Sequence, residues 1–487
     1  MGSIGIDLGT SAVKAVLLDP DGRVRAEAQA PLTVQHPWPL WSEQGPAAWW
    51  AATEKAMAGL RWQAGFSEVR SIGLSGQMHG AVLLDSAARV LRPAILWNDG
   101  RSQAECEVLD PLARRIAGNL AMPGFTAPKL LWVRGHEPDV FAATARVLLP
   151  KDWLRLQLTG DAVSEMSDAS GTLWLDVSRR AWSAELLVAT GLAEWQMPRL
   201  VEGTEPAGEL RAEVARAWGL PQGTVIAGGG GYNAAGAVGL GCIAAGQAFL
   251  SLGTSGVVFL CDADFRPAPG RAVHAFCHCL PEAWHRMTVS LAAAACLTWF
   301  AGVSGAASEG ALLAELEQTG VAAPRGPVFL PYLAGERTPH NDPHARGVFF
   351  GLTGATTRAD LTRAVLEGVA FALADGLDAL QASGPHIAAL SVTGGGAKSA
   401  LWGRILAAAL DRPLTYHAGG EIGPALGAAR LGRIAAGDGT IAEICSPPPV
   451  DRVQEPEPDL AAQLAPRRAL FRRLYRDLHE AFRERQG

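Results

Sequence analysis

The stretch Ile4-Gly5-Ile6-Asp7-Leu8-Gly9-Thr10-Ser11, followed by the apolar run Val13 to Leu18, decides how this chain is read. Two apolar runs joined by a short Gly/Thr/Ser turn predict a hairpin, and Gly9, lacking a Cβ, lets a ligand approach its backbone. The N–H and hydroxyl groups of such a turn, those of Thr10 and Ser11 included, can cradle a phosphate. Asp7 leaves the end of the first strand, where a carboxylate can hold Mg²⁺ together with phosphate oxygens. Taken alone, the turn fits an ordinary hairpin with a solvated Asp7.

The turn recurs, which changes its weight. Phe249-Leu250-Ser251-Leu252-Gly253-Thr254-Ser255-Gly256 repeats Leu-Gly-Thr-Ser near the middle of the 487 residues, again between apolar runs. Two copies about a domain length apart imply two related halves, each offering Gly253- or Thr10-type turns to a shared cleft. Only the first copy brings a carboxylate, because Ser251 stands where the first has Asp7. That asymmetry is expected when two hairpins grip one nucleotide.

A chain of this length exceeds what one hydrophobic core serves, so two or three domains are expected. Hydrophobic residues at 48% can fill large cores, and a net charge of -6 gives no electrostatic reason to expect nucleic acid. No apolar run of about 18 residues occurs, and the N-terminus enters a strand directly, so no membrane association and a cytoplasmic location are expected. Seven cysteines do not make a disulfide framework in so long a chain, and reduced thiols are the simpler reading.

In chain order, the spacing predicts a helix over 46–60, preceded by the aromatic loop His36-Pro37-Trp38-Pro39-Leu40-Trp41. Predicted strands over 69–74 and 94–96 run into Ser75-Gly76-Gln77-Met78-His79-Gly80 and Trp97-Asn98-Asp99-Gly100-Arg101. Both polar clusters sit at strand ends, where ligand groups collect in open α/β sheets. Thr393-Gly394-Gly395-Gly396-Ala397 follows a strand over 389–393 and precedes a helix from about 399, a place where backbone can lie against a purine or ribose. Residues 419–429 read as a loop entering a small-residue helix close-packed beside that turn. His274, Cys277, His278, Cys279 and His285 have metal-ligand chemistry without metal-ligand spacing. The segment 446–458 reads as a Pro-rich linker, and 460–485 as a closing helix with a solvated basic face.

Together these blocks resemble the FGGY family of carbohydrate kinases, and within it the kinases that act on D-xylulose. Trp41-Ser42-Glu43-Gln44, Gly124-Phe125-Thr126-Ala127-Pro128-Lys129 and Ser167-Asp168-Ala169-Ser170-Gly171-Thr172 carry the resemblance in the first half, beside those already quoted. Gly347-Val348-Phe349-Phe350-Gly351-Leu352 and Thr393 to Ser399 carry it in the second. The resemblance implies an α/β chain of two actin-like, ribonuclease-H-like domains around an interdomain cleft, residues 1–245 binding sugar and 246–487 nucleotide. It implies ATP and Mg²⁺, with Asp7 at the metal and Thr10, Ser11, Gly253 and Thr254 at the phosphates. Gly395, Gly396 and Ala397 would hold the adenosine, and Met78, His79, Trp97, Asp99 and Asn233 the sugar. A homodimer is compatible with it.

One position departs from the pattern. The family carries its proton-accepting aspartate in a Gly-Gly-Gly-Gly-Asp-Asn run, and here Gly228-Gly229-Gly230-Gly231 is followed by Tyr232-Asn233. A phenol of ordinary pKa is only about 0.1% ionised at pH 7, a poor base. Impaired turnover is expected, and a silent binder of sugar or nucleotide, or a kinase of another ketose or polyol, stays open.

Overall fold

The computed structural model describes residues 1–319, 326–382, 384–419 and 423–484. Its architecture is two seven-stranded mixed sheets flanked by helices. In the first, the strands lie in the order Val24–Pro31, Ala12–Leu18, Gly2–Leu8, Val69–Gly76, Val225–Ala227, Pro206–Glu209, with the short Gly230–Gly231 also pairing Val69–Gly76. In the second, the order is His274–Cys277, Trp284–Ser290, Gly256–Asp262, Ala248–Leu252, Leu390–Thr393, Leu414–His417, Val450–Gln454. Each sheet starts with an antiparallel hairpin whose first strand pairs in parallel, on its other edge, with a later strand. The repeated Leu-Gly-Thr-Ser is therefore the same corner of two like folds.

The hairpin strands are hydrophobic on both faces because helices cover both sides. Ile4, Ile6, Leu8, Val13 and Leu17 share a core with Trp49, Met57 and Leu60 of the helix Pro46–Leu60. On the second sheet Leu250, Leu252, Val258 and Leu260 pack with the 24-residue helix Arg358–Gln381. A third cluster, containing Met78, Phe125, Phe249, Phe259, Phe276 and Met287, crosses between the halves.

The helix Gly423–Ala435 packs on the first sheet, although it lies in the chain between Leu414–His417 and Val450–Gln454 of the second. A Cβ on Gly5 would collide with the Ala425 carbonyl, one on Gly73 with that of Ala428, and one on Gly427 with that of Ala235. Small residues on both sides let backbones touch. The helix also lies against Tyr232–Leu240. Its small residues therefore serve contact between the halves, where the sequence suggested packing beside the nucleotide turn; residues 420–422 of that loop lie outside the described residues.

Two other expectations are corrected. Within the segment read as a linker, Val450–Gln454 is a strand, antiparallel to Leu414–His417; prolines on both sides hid it. The closing helix Pro458–Glu484 buries Leu464, Phe471 and Leu474, but its basic face is not simply solvated. Arg467 pairs with Glu367, and Arg468 and Arg472 with Asp375 and Asp378; Arg485 lies outside the described residues. His274, His278 and His285 sit in a buried aromatic stack with Phe125, Phe259 and Phe276. All seven cysteines are buried and unbridged. Among the described residues, no helix is long and apolar enough to cross a membrane.

Candidate active site

Both hairpin turns open on one cavity of about 370 Å³, at the ends of the parallel strands. Asp7, Thr10, Ser11, Gly253 and Thr254 line it, as do Met78, His79, Trp97, Tyr232 and Asn233. A neighbouring cavity of about 220 Å³ shares Lys14, Tyr232 and Asn233 and reaches Gly395. A third, of about 900 Å³, shares Lys14 and is lined by Gly394, Ala397, Lys398, Tyr416 and Arg452. The three spaces form one cleft running from the Met78 end to the glycine turn. Gly396 lies behind it: a Cβ there would strike the Leu252 side chain, so a glycine lets the turn lie on the second hairpin.

The first turn closes with Gly9 N–H donating to Ala12 O at 3.0 Å, and the second with Gly253 N–H donating to Ser255 O at 3.1 Å. Thr10 is tied to the wall opposite: its hydroxyl donates to Gln77 Oε1 at 3.2 Å and accepts from Trp97 Nε1 at 3.0 Å. Gln44, in the short strand Glu43–Gln44, donates to Thr10 O at 2.8 Å and accepts from Gln77 Nε2 and Trp49 Nε1. Hairpin, Trp97 and Gln77 thus form one rigid hydrogen-bonded wall.

Asp7 is 5% exposed and its Oδ1 has no hydrogen-bond partner among the described residues. Burial raises its pKa to about 6, with the Ser75 hydroxyl and then the Lys14 ammonium opposing the rise. A buried carboxylate oxygen left unsatisfied beside two phosphate-type turns fits a divalent cation, which would supply the missing partner and favour the ionised form.

His79 has φ of 69°, a left-handed conformation costing about 1–3 kcal/mol in a non-glycine residue. Two donors hold its carbonyl in place, Thr126 Oγ1 at 3.1 Å and Lys129 Nζ at 2.8 Å. Burial brings the Lys129 pKa down to about 7. The ring nitrogen Nδ1 lies 2.7 Å from Gly171 O, and since a carbonyl only accepts, Nδ1 carries the proton. Burial, with Lys129 and Arg337 nearby, takes the imidazole pKa to about 3, so the ring is neutral and Nε2 is an acceptor. That suits a substrate hydroxyl.

Asp99 does not reach the cleft. It is 2% exposed, accepts from Ser42 N at 2.6 Å, and is chelated by Arg101 at 2.7 and 2.9 Å. The Arg101 guanidinium in turn covers the Trp41 ring at 3.5 Å. The expectation that Asp99 completes the sugar pocket is therefore corrected: its charge is spent on a cation two residues away, and it braces the wall behind Trp97.

Tyr232 opens the helix Tyr232–Leu240 and faces both smaller cavities. It is 41% exposed because the cleft is open, yet the surrounding walls desolvate its phenolate. That burial and the Asp7 charge push its pKa up to about 12, further from use as a base than an ordinary tyrosine. The glycine loop before it is clamped from below. Gly231 N donates to Glu165 Oε1 at 3.0 Å and to Ser167 Oγ at 2.9 Å, and Arg155 donates to Gly228 O. Gly229 needs its positive φ of 74°, and a Cβ there would collide with Leu74 O. Beneath the loop Lys151 lies 2.9 Å from Asp152, 3.4 Å from Asp168 and 3.6 Å from Glu165, all fully buried.

Two charged residues lining the first cavity escaped the sequence reading. Lys14 borders all three spaces, and its signal was a lone charge in an otherwise apolar strand just past the turn. Arg337 enters the first cavity from the second half of the chain; Gly-Glu-Arg-Thr between apolar runs was its only trace.

A cleft with a like Gly-Thr-Ser hairpin from each half, a wall that presents the neutral His79 and a glycine turn has the layout of a two-domain phosphotransferase. The N-terminal domain of the FGGY family of carbohydrate kinases matches residues 3–239 and its C-terminal domain residues 248–436, and the chain belongs to that family. It is 53% identical over 480 residues to a xylulose kinase of Escherichia coli (strain K12), covering 98% of this chain and 99% of the relative. A xylulose kinase of Bacillus subtilis (strain 168) is 38% identical, covering 89% of this chain and 88% of the relative. Among solved structures, a Brucella ovis protein described as a xyloylose kinase superposes with a TM-score of 0.95 at 50% identity, covering 99% of this chain and 100% of that one. A xylulose kinase of Rhodospirillum rubrum gives 0.91 at 30%, with the same coverage.

Proposed function

We propose that the chain transfers the γ-phosphoryl group of ATP to D-xylulose, forming D-xylulose 5-phosphate. The observation that carries this is the meeting, around one cavity, of both hairpin turns with Met78 and the neutral His79. The sugar lies mainly on residues 1–245 and the nucleotide mainly on 246–487, with the helix Gly423–Ala435 lying across the division. Met78, His79, Trp97 and Asn233 form the sugar wall. Thr254, Gly253, Ser11 and the Lys14 ammonium face the phosphates, and Gly395 and Ala397 the adenosine. Asp7 would hold Mg²⁺, which when bound neutralises phosphate charge. Phosphoryl transfer depends mainly on such positioning and charge compensation, plus an acceptor for the proton of the attacking hydroxyl. Tyr232 occupies the acceptor's place without its basicity, which favours a second reading: a protein that binds both ligands and turns them over slowly.

A coupled ADP-release assay over ketoses and polyols tests the reaction, and calorimetric titration with D-xylulose and MgATP tests binding separately. D-xylulose should be the best acceptor; a polyol turned over faster would make this a kinase of another sugar. His79→Ala should weaken D-xylulose binding about 10-fold or more and leave MgATP binding unchanged. His79→Asn, better suited to left-handed backbone, controls for strain. Equal loss of both ligands would reduce His79 to a role in folding. MgATP should raise the thermal midpoint, and Asp7→Ala should abolish the magnesium-dependent part of that rise. An undiminished magnesium effect would remove Asp7 from the metal.

A further inference from the structure

Arg337 is brought to the His79 end of the cleft from a segment that follows the strand Val328–Leu330 and is hydrogen-bonded to the end of Trp284–Ser290. Its neighbours are fixed: Glu336 accepts from Ser290 Oγ at 2.7 Å, Leu291 N at 3.1 Å and Arg337 N at 2.7 Å. Thr338 exchanges hydrogen bonds with Val289 and donates to Ala272 O at 2.7 Å. The guanidinium itself makes no hydrogen bond or ion pair to any described residue; burial lowers its pKa against the opposing charge of Glu336, and its own charge reaches His79 and His274. The partly buried guanidinium lines the cavity with five donors and no acceptor, so its hydrogen-bonding capacity is open to a ligand there.

The two groups facing each other across this end are chemically opposite. His79 Nε2, fixed as an acceptor by the Gly171 carbonyl, calls for a hydroxyl. Arg337 can only donate, and calls for an oxygen with lone pairs to spare. An α-hydroxyketone offers that pair on adjacent carbons. There is a further chemical reason to hold a carbonyl here. In a 2-ketopentose the hydroxyl on C5 is the one that closes onto C2 to form the ring, so it can be phosphorylated only while the chain is open and C2 is a free carbonyl.

We propose that Arg337 is a specificity-determining residue that donates hydrogen bonds to the C2 carbonyl oxygen of the open-chain ketose, while His79 accepts from a neighbouring hydroxyl. This rests on the reading of the cleft as a D-xylulose site. Because Arg337 belongs to the second half of the chain and His79 to the first, the ketose bridges the two halves, and selection of the open chain is coupled to their approach. A site built around such a donor discriminates against an analogue lacking its acceptor.

The test is calorimetric, so that slow turnover does not obscure it. The unaltered chain is titrated with D-xylulose and with xylitol, the same carbon chain bearing a hydroxyl at C2. It should bind the ketose at least about 10-fold more tightly. In Arg337→Met, D-xylulose binding should fall about 10- to 100-fold, xylitol binding should change less than about 3-fold, and MgATP binding and the thermal midpoint should stay put. Arg337→Gln replaces it under the same criteria if the methionine variant does not fold. Equal weakening of both sugars, or none, overturns the assignment to Arg337. Failure of the unaltered chain to bind D-xylulose overturns the underlying sugar reading instead.

Discussion

Tyr232→Asp is expected to raise D-xylulose phosphorylation by at least about 100-fold. A positioned general base is worth about 10²- to 10⁴-fold, and kinases turn over at roughly 1 to 100 per second, so the unaltered chain should run at about one per second at best. The structure sharpens the reason. Position 232 begins a helix, whose N-terminal field favours an anion and so suits a carboxylate. Asp7 acts in the opposite sense, since its charge raises the pKa of whatever stands at 232. A carboxylate there would be moved toward neutrality, the useful range for a base, whereas the phenol is moved to about 12 and out of reach. Steady-state rates with Tyr232→Ala and Tyr232→Asn separate the two effects of the replacement: both remove the ring and neither supplies a base. If alanine rescues as well as aspartate, the tyrosine acts by obstruction. Ordinary kinase rates in the unaltered chain, with no gain from aspartate, would place the proton acceptor elsewhere.

The second large effect is on stability. Arg155→Met is expected to destabilise the chain by about 3 to 5 kcal/mol, because removing one partner from a buried charge cluster leaves the others uncompensated. Arg155, Lys151, Asp152, Glu165 and Asp168 are all fully buried. Two cations face three carboxylates, and burial with the charges of Asp152 and Glu165 pushes the Asp168 pKa well up, in the direction that lessens the excess of negative charge. Losing the arginine enlarges that excess and frees the Gly228 carbonyl. For a domain of this size the thermal midpoint should drop by roughly 6 to 20 °C, read by calorimetry. The double variant Asp152→Asn/Arg155→Met should recover part of the loss, since it removes opposite charges together. A drop under about 2 °C in the single variant would mean the cluster is hydrated and not the clamp inferred here.

The hairpins, the cleft they share and most of its wall could be read from the chain because their signals are local. A turn between two apolar runs needs only Gly9 or Gly253 and its neighbours, and repetition of Leu-Gly-Thr-Ser reports two like halves whatever the packing. Met78 and His79 follow directly from a strand end, and Tyr232 stands out against four flanking glycines. Local signals also mislead. Asp99 offers a carboxylate beside an exposed tryptophan, but Arg101, only two residues on, neutralises it once Trp41 closes over the guanidinium. Prolines around 446–458 look like a linker until Leu414–His417 supplies an edge for Val450–Gln454 to pair with.

By itself, then, the sequence determined the two-fold α/β plan, the paired hairpin turns, the histidine at a strand end and the tyrosine after four glycines, because each is encoded in contiguous residues. Only the tertiary structure decided that a helix late in the chain would lie on Gly5 and Gly73, that Glu165 and Arg155 would hold the glycine loop, and that Arg337 would face His79. Those are relations between residues tens to hundreds of positions apart. Their energies come from burying charge and backbone together, which no window of sequence contains until the chain has folded.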